Sequence, residues 1–387
     1  MIAKDRGFPT EEYRQRVTRA QELMNASDLD ALLLTTEPEV RYFTGFLTRF
    51  WESPTRPWFV LLPQSTDPIA IIPSIGSHLM GQSWIDDIRT WRSPDYSDDG
   101  VSLLAACIME QVSAKGRIGV PSGTESHLRM PLSSWTALQS RIGLRKMVCD
   151  KSIVRNLRMI KSDREIAKIR ETCAIANRSF ARVAEIAHVG AALDTVFRRF
   201  QMLCLEEGAD WVGYLAGAAG PGGYGDVISP ATPDPLRSGD VLMLDTGLVR
   251  DGYYCDFDRN FAVGPIAAEA EEAYVKLLDA SAAAFDKARP GVTAAELFHC
   301  MDQIVTGGAG GSDAGRMGHG LGMQLTEWPS LIAQDETVLA PGMVLTLEPG
   351  VSIAPGQTLV HEEDIVITEN GAAYLSAPAP RHMRELA

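Results

Sequence analysis

Residues 241–261 of this chain, VLMLDTGLVRDGYYCDFDRNF, are the stretch from which its fold is most directly predicted. An apolar strand ends in Asp245, a turn signal follows, and a second strand-like segment carries Asp256. A hairpin folded about residues 250–251 would place Asp245 opposite Asp256, on one face of an antiparallel sheet. Two carboxylates held that close repel each other unless a cation lies between them or one of them is protonated. The stretch therefore indicates a possible acidic site in a β-sheet.

A second pair of acidic residues follows the same pattern. The apolar segment 343–348 ends in Glu348, and the segment 359–367, LVHEEDIVI, carries Glu363. Between the two pairs, His319 is flanked by glycines that allow close approach of the backbone. Four carboxylates and one imidazole form a good site for two divalent ions, and an oxygen-rich set favours Mn, Fe or Co over Zn. Each residue alone is more often a solvated strand end or an ordinary hydrogen-bonded group, so these residues by themselves predict only a possible metal site.

The rest of the chain is predicted to form two domains, at 1–150 and 151–387. In the first, helical stretches at 11–24 and 101–113 alternate with short apolar runs, which is typical of an α/β unit with a buried sheet. The predicted strands are ALLLT at 31–35, WFVLLP at 58–63, IAIIP at 69–73 and RIGV at 117–120. A Ser-x-x-Glu capping box at 162–165 predicts the start of a long amphipathic helix in the second domain.

Composition excludes several classes of protein. The 387 residues are 45% hydrophobic and 22% charged, as in ordinary globular proteins, and the net charge of −14 argues against a nucleic-acid partner. No apolar run reaches the roughly 18–20 residues of a membrane span, and the charged start lacks a signal-peptide core, so we expect a cytoplasmic protein without a membrane partner. The six cysteines have no CxxC spacing and are expected to be reduced, buried thiols, with Cys255 notable for its position beside Asp256.

The motifs LDTG, YYCDFDRNF, GHGLG, GMVLTLEPG and VHEEDIVITENG resemble, in order, the metal-site blocks of the pita-bread superfamily, which includes creatinase, prolidase, aminopeptidase P and methionine aminopeptidase. The resemblance spans about residues 155–375. It implies an α+β protein in which a C-terminal pita-bread domain, a curved antiparallel sheet backed by helices, follows a smaller α/β domain of the creatinase and prolidase type. The metal ligands implied by the resemblance are Asp245, Asp256, His319, Glu348 and Glu363.

Three positions depart from the peptidase pattern. The second histidine of the peptidases corresponds to Thr326, and an upstream histidine falls at Ile228 or Ser229. Threonine can donate one hydrogen bond but cannot hold a positive charge. Asp258 stands where the family usually has Thr or Ser, and it is expected to add negative charge. The metal centre is therefore predicted to be intact, while the groups that support peptide cleavage are altered.

Two alternatives to a hydrolase stay open from the sequence. The superfamily also contains a lyase that splits the zwitterion dimethylsulfoniopropionate; it too lacks the peptidase histidines, and its EYPS resembles residues 327–330. That lyase, however, uses an Asp base where this chain has Thr326, and an extra acidic ligand where this chain has Gly247. The second alternative is a non-catalytic binding protein on a pita-bread scaffold.

The preferred hypothesis is a dinuclear metal hydrolase of the Xaa-Pro dipeptidase and creatinase family, acting on a C–N bond of a small peptide-like or amide substrate. Water activated by the two cations would be the nucleophile, and Glu348 would pass its proton to the leaving nitrogen. Thr326, at the position of the second peptidase histidine, and Arg259 are predicted to be catalytic residues together with Glu348. Arg259 and Asp364 would orient the metal ligands.

A substrate-selecting wall is predicted from aromatic and arginine side chains. Tyr42, Trp51 and Arg56 of the small domain, together with Trp328, could hold a cationic group or a carboxylate of the substrate. Packing of the tryptophans in a core explains the same residues about equally well. The two-domain branch also leads us to expect a homodimer.

Overall fold

The computed structural model describes residues 6–53, 56–310 and 315–387 of the chain. They form a mixture of helices and strands in two compact units, Met1–Arg158 and Met159–Ala387. The predicted α+β class is confirmed. The division between the units lies a little beyond the boundary predicted at residue 150.

Unit 1 contains a six-stranded mixed sheet. Its strands are β1 Ala31–Leu34, β2 Phe59–Pro63, β3 Ile69–Pro73, β4 Asp87–Trp91, β5 Arg117–Val120 and β6 Lys146–Cys149. Its helices are α1 Thr10–Ala26, α2 Glu37–Thr44, α3 Ser77–Met80, α4 Val101–Gln111, α5 Leu132–Arg141 and α6 Ile153–Met159, which ends at the division. The strand order is β4-β3-β2-β1-β5-β6, and β1, β2 and β3 are buried along their whole length. Leu104 and Ile108 of α4 pack in the core on one face, so the four predicted apolar strands form the centre of an α/β unit.

Unit 2 begins with the helix predicted from the capping box. The helices of this unit are α7 Asp163–Ala181, α8 Leu193–Glu206, α9 Ala268–Lys287 and α10 Ala294–Val305. The amide of Glu165 donates to Ser162 Oγ at 3.3 Å, and the amide of Ser162 donates to Glu165 Oε2 at 3.0 Å. These reciprocal bonds satisfy two amides that would otherwise lack a partner at the helix start.

Two mainly antiparallel sheets and a two-stranded antiparallel ribbon complete unit 2. The strands are β7 Trp211–Pro221, β8 Asp240–Arg250, β9 Tyr253–Tyr254, β10 Phe257–Val263, β11 His319–Gly320, β12 Glu327–Ser330, β13 Val344–Leu347, β14 Gly350–Ala354, β15 Gln357–Val360, β16 Glu363–Ile367, β17 Ala372–Tyr374 and β18 Arg384–Leu386. The sheets have the orders β18-β10-β8-β7, with β9 on β8, and β12-β11-β13-β16-β17, while β14 pairs with β15. Met243 of β8 and Leu345 of β13 share one core with Leu277 of α9 and Leu297 of α10. This core holds the strands that carry the acidic residues.

The hairpin between β8 and β10 differs in register from the predicted one. It turns at Asp251 and Gly252, whose φ angles of 48° and 77° are both positive, as a two-residue type I′ turn requires. Asp245 therefore pairs with Asp258, and the predicted pairing with Asp256 was wrong. Because the shift is two residues and side chains alternate with a period of two, Asp256 keeps the same face of the sheet as Asp245.

The described helices and the cysteines bear on two further features of the sequence. Within residues 6–53, 56–310 and 315–387, no helix combines the length and the apolar character of a membrane span. All six cysteines are free thiols, of which four are buried, although Cys149 is exposed and Cys300 is partly so.

Candidate metal centre

Five side chains of unit 2 gather into two overlapping groups, within each of which one ligand atom per residue lies within 4.8 Å of the others. The groups are Asp256, His319 and Glu348, and Asp245, Asp256 and Glu362. Asp256 belongs to both. The structure thus brings together four of the five predicted ligands and places Glu362 where Glu363 was expected.

Glu363 lies on the other side of its strand and is in neither group, so the prediction that it is a metal ligand was wrong. Arg259 Nη2 donates to Glu363 Oε2 at 2.9 Å, and the amide of Ala379 donates to Oε1 at 2.8 Å. Burial would raise the pKa of Glu363, but Arg259 and His361 bring it down to about 2. Successive side chains on a strand point to opposite faces, so the adjacent Glu362 faces the acidic cluster.

Glycines set the position of His319 on β11. A Cβ atom on Gly318 would meet the backbone oxygen of Thr346 at 2.2 Å, and one on Gly320 would meet that of Trp328 at 2.2 Å. Any larger residue at either position would push β11 away from its neighbours. The close backbone approach predicted from the GHG motif is therefore confirmed.

The imidazole of His319 is oriented by the backbone. Its Nδ1 lies 2.8 Å from the carbonyl oxygen of Gly320, and because a carbonyl can only accept, Nδ1 carries the hydrogen. Nε2 then faces Glu348 Oε1 at 3.0 Å and Asp256 Oδ2 at 3.3 Å. Burial opposes charge on this ring, but the two carboxylates raise the pKa of His319 well above its usual value. The side chain thus presents Nε2 as a ligand atom to the centre of the cluster.

The carboxylates of the cluster are short of compensating charge. Burial, followed by repulsion from Asp256, raises the pKa of Asp245 well above its usual value, and burial and Asp245 do the same for Glu362. For Asp256, burial outweighs the attraction of His319 and raises the pKa to about 6. Asp245 Oδ1 is buried and accepts no hydrogen bond in the described parts of the chain. A buried carboxylate oxygen without a partner is free to bind a metal ion, and bound cations would relieve the repulsion between the acids. These residues therefore fit two divalent cations.

Arg259 and Asp364 hold the backbone on which the acids are mounted. Arg259 Nη1 donates to the carbonyl oxygen of Glu362 at 3.0 Å, and the amide of Asp256 donates to Asp364 Oδ2 at 3.0 Å. The role of both residues in orienting metal ligands stays a prediction. Asp258 is in neither group, because its Oδ1 accepts the amide of Glu362 at 2.7 Å. Its charge also acts on the cluster, because burial, Asp256 and then Asp258 raise the pKa of Asp245.

Tyr214 and Arg316 also adjoin the cluster, and the sequence reasoning missed both. The phenol of Tyr214 on β7 has its pKa raised by burial and then by Asp245 and Glu362. Finding Tyr214 required knowing that β7 pairs with β8, which no local pattern indicates. Arg316 lies three residues before His319, and this position was its only signal in the sequence.

Position 247 bears on the alternative lyase chemistry. A Cβ atom on Gly247 would meet Leu325 Cδ1 at 2.1 Å and the Cβ of Tyr214 at 3.2 Å. The extra acidic ligand of the lyase would have to displace Leu325 to fit there. Cys255 offers no nucleophile either, because complete burial raises the pKa of its thiol well above the usual value.

The other residues of unit 2 that the sequence singled out are Thr326, Trp328 and Ile228. Thr326 Oγ1 accepts a hydrogen bond from Arg316 Nη2 at 3.3 Å, and Trp328 Nε1 donates to Thr337 Oγ1 at 2.8 Å. Ile228 is 78% exposed. Whether Thr326 and Ile228 occupy the positions of the peptidase histidines stays a prediction.

The predicted substrate wall of unit 1 is made of well-packed residues. Tyr42 is fully buried, and its hydroxyl donates to the carbonyl oxygen of Leu157 at 3.2 Å. Trp51 is buried under the guanidinium of Arg129, whose carbon lies 5.1 Å from the centre of its ring. Arg56 lies over the ring of Phe50 at 5.1 Å. Packing accounts for Tyr42 and Trp51, and substrate contact by these side chains stays a prediction.

Comparison with known proteins identifies both halves of the chain. Residues 16–160 match the model of the creatinase/prolidase N-terminal domain, and residues 167–369 match that of metallopeptidase family M24. The "Probable dipeptidase PepE" of Mycobacterium tuberculosis is 29% identical over 372 residues, which cover 95% of each protein. The Xaa-Pro dipeptidase of Pyrococcus horikoshii is 26% identical over 368 residues, covering 94% of this chain and 97% of that one.

Solved structures agree with these matches. The crystal structure of dipeptidase PepE from Mycobacterium ulcerans superimposes with a TM-score of 0.82 at 26% identity, covering 98% of this chain and 99% of that one. The prolidase from Pyrococcus horikoshii superimposes with a TM-score of 0.81 at 23% identity, covering 94% and 99%, which shows a shared fold. The comparisons do not favour the lyase or the binding protein. The chain belongs to metallopeptidase family M24, in its creatinase and prolidase branch, and is a metal-dependent hydrolase.

Proposed function

We propose that this protein is a dipeptidase that hydrolyses the peptide bond of Xaa-Pro dipeptides at a centre of two divalent cations. The observation that carries the proposal is the place of Asp256 in both ligand groups, since a shared carboxylate can bridge two ions. The printed names of the relatives, "Probable dipeptidase PepE" and "Xaa-Pro dipeptidase", support the substrate class.

The ligand set suggests how the ions would be held. Asp245 and Glu362 would bind one, His319 and Glu348 the other, and Asp256 both. Four carboxylates to one imidazole favour Mn, Fe or Co over Zn. When bound, the two cations would make water a nucleophile near neutral pH and polarise the scissile carbonyl.

Glu348 is the group placed to move a proton. Its Oε1 accepts from the hydroxyl of Thr346 and lies beside His319 Nε2, while its Oε2 has no hydrogen bond to the described residues. Burial raises the pKa of Glu348, but His319 and Thr346 outweigh that effect and the pKa is lowered. An ionised Glu348 would accept the proton of the attacking water at Oε2 and deliver it to the leaving nitrogen.

The protein is further proposed to be a cytoplasmic homodimer. The free thiols support a reducing compartment, and the resemblance to the two-domain branch supports the dimer. In this proposal Trp328 of unit 2 contacts the substrate, while substrate contact by Tyr42, Trp51 and Arg56 of unit 1 stays a prediction.

The test is a panel of substrates supplied to the manganese-loaded protein: Ala-Pro, Gly-Pro, Ala-Ala, the tripeptide Ala-Pro-Ala and dimethylsulfoniopropionate. Free proline should be released from Ala-Pro and Gly-Pro faster than Ala-Ala or the tripeptide is cleaved. D256N should be inactive, whereas the matched control D279N, at an exposed aspartate paired with Arg381, should retain full activity. Failure to cleave any dipeptide by a protein that holds two ions, or release of an alkene from the zwitterion, would refute the proposal.

A further inference from the structure

A permanent cation lies at the edge of the acidic cluster. The half-buried Arg316 precedes β11, and its Nη2 donates to Thr326 Oγ1 at 3.3 Å. The carbonyl oxygen of the next residue, Met317, accepts the amide of Glu348 at 2.9 Å, and His319 follows two residues further on. Arg316 therefore belongs to a stretch of backbone that lies directly beside two of the predicted ligands.

The hydrogen-bonding capacity of Arg316 is largely unused. A guanidinium has five N–H donors in a planar fork, and within the described residues the side chain donates only to Thr326 and has no carboxylate within 4.0 Å. A half-buried arginine usually has an anionic partner, because the fork matches the two oxygens of a carboxylate. Thr326 is neutral, so it orients the guanidinium without neutralising it.

The charge balance of the centre indicates which partner would bind. The carboxylates of Asp245, Asp256, Glu348 and Glu362 carry four negative charges, which two divalent ions would cancel. Next to such a neutral centre, Arg316 keeps an uncompensated positive charge. A small anionic group on a substrate held at the ions would be attracted to it.

We propose that Arg316, oriented by Thr326, binds the terminal carboxylate of the dipeptide, a step that rests on the proposed function. In this arrangement the chain has a fixed, pH-independent cation beside the position where the resembling peptidases carry their second histidine. The enzyme would thereby select dipeptides with a free carboxylate over amides and longer peptides. Arg316 would be a residue of substrate specificity.

The test compares ligands that differ only in this carboxylate. Kinetics are measured with Ala-Pro and with Ala-Pro amide, and binding to the manganese-loaded protein is measured by calorimetry with L-proline and L-prolinamide. The variants are R316Q, R316K and T326V, with R381Q as the matched control at an arginine whose side chain is 60% exposed. The metal content of every variant is measured, so that a lost ion is not mistaken for a lost contact.

The wild type should prefer the free acid in both assays. R316Q should reduce that preference by about 10–100-fold, mainly through a higher KM for Ala-Pro. R316K should lose part of it, because an ammonium cannot form two parallel bonds, and T326V should lose less. R381Q should keep it. Equal effects of R316Q on the acid and the amide, or a fall confined to kcat, would overturn the proposal. If R316Q does not fold, full retention of the preference for the free acid by R316K would overturn it as well.

The calorimetry separates this proposal from the proposed function. A wild type that cleaves no dipeptide refutes the dipeptidase, while a preference for proline over prolinamide that R316Q abolishes would still support the carboxylate site. Equal binding of proline and prolinamide by the wild type, or no binding of either, would overturn the role of Arg316.

Discussion

Neutralising Glu362 and neutralising Glu363 should have opposite consequences, although the two residues are adjacent. E363Q deprives Arg259 of a partner 2.9 Å away in a pair whose side chains are only 10% and 3% exposed. Breaking one side of a buried ion pair costs about 3–5 kcal/mol, because the other charge is left buried. In a unit of this size each kcal/mol lowers Tm by roughly 2–4 °C, so E363Q should melt roughly 6–20 °C below the wild type even without metal.

E362Q should behave in the opposite way. Burial and the charge of Asp245 both disfavour an ionised Glu362, so an amide there should leave the stability of the metal-free protein unchanged or increased. The variant should instead lose metal binding. At a Mn²⁺ concentration of about 100 times Kd, the wild type gains about 2.7 kcal/mol, and a 100-fold loss of affinity would reduce that gain to about 0.4 kcal/mol.

Thermal melting of wild type, E362Q and E363Q, each with and without Mn²⁺, separates the two effects. E363Q should start low but rise with metal, whereas E362Q should start normally and barely respond. The assignment of Glu362 is refuted if E363Q has a normal metal-free Tm and no response to Mn²⁺ while E362Q resembles the wild type.

Three further predictions follow from single contacts. D256N should reduce bound manganese from two ions per chain to fewer than one by elemental analysis, because both ligand groups share this carboxylate; two ions bound to D256N would contradict the shared role. K161M should lower the free energy of unfolding in urea by about 3–5 kcal/mol, because Lys161 Nζ pairs with Glu327 Oε2 at 3.1 Å in a fully buried setting, and a loss under about 1 kcal/mol would count against that pair. S162A should lose about 1 kcal/mol in the same assay through its missing cap bond, and an unchanged value would mean that the cap contributes nothing.

Features that depend on neighbouring residues could be predicted from the sequence. The capping box of Ser162 and Glu165 involves bonds across three positions, so the start of α7 was predictable. The strand that ends in Asp245 is an apolar run, and the glycines beside His319 indicate close backbone packing without knowledge of the partner. The order of the motif blocks then indicated the fold and five ligands, four of which the structure brings together.

Features that depend on strand pairing could not be predicted in the same way. The hairpin register follows from the turn at Asp251 and Gly252. Moving the turn by one position shifts the residue opposite Asp245 by two, from Asp256 to Asp258. Glu362 and Glu363 are chemically identical neighbours, and only the pairing of β16 and the place of Arg259 distinguish them. Arg316 reaches Thr326 across a loop, and no sequence pattern expresses that contact.

The most direct test of the metal-dependent dipeptidase is the rate of proline release from Ala-Pro, plotted against the number of Mn²⁺ ions bound per chain. We expect no release from the metal-free protein and a rate that rises until two ions are bound, as a centre that shares Asp256 requires. Undiminished release without metal, or no release from a chain that carries two ions, would contradict the account.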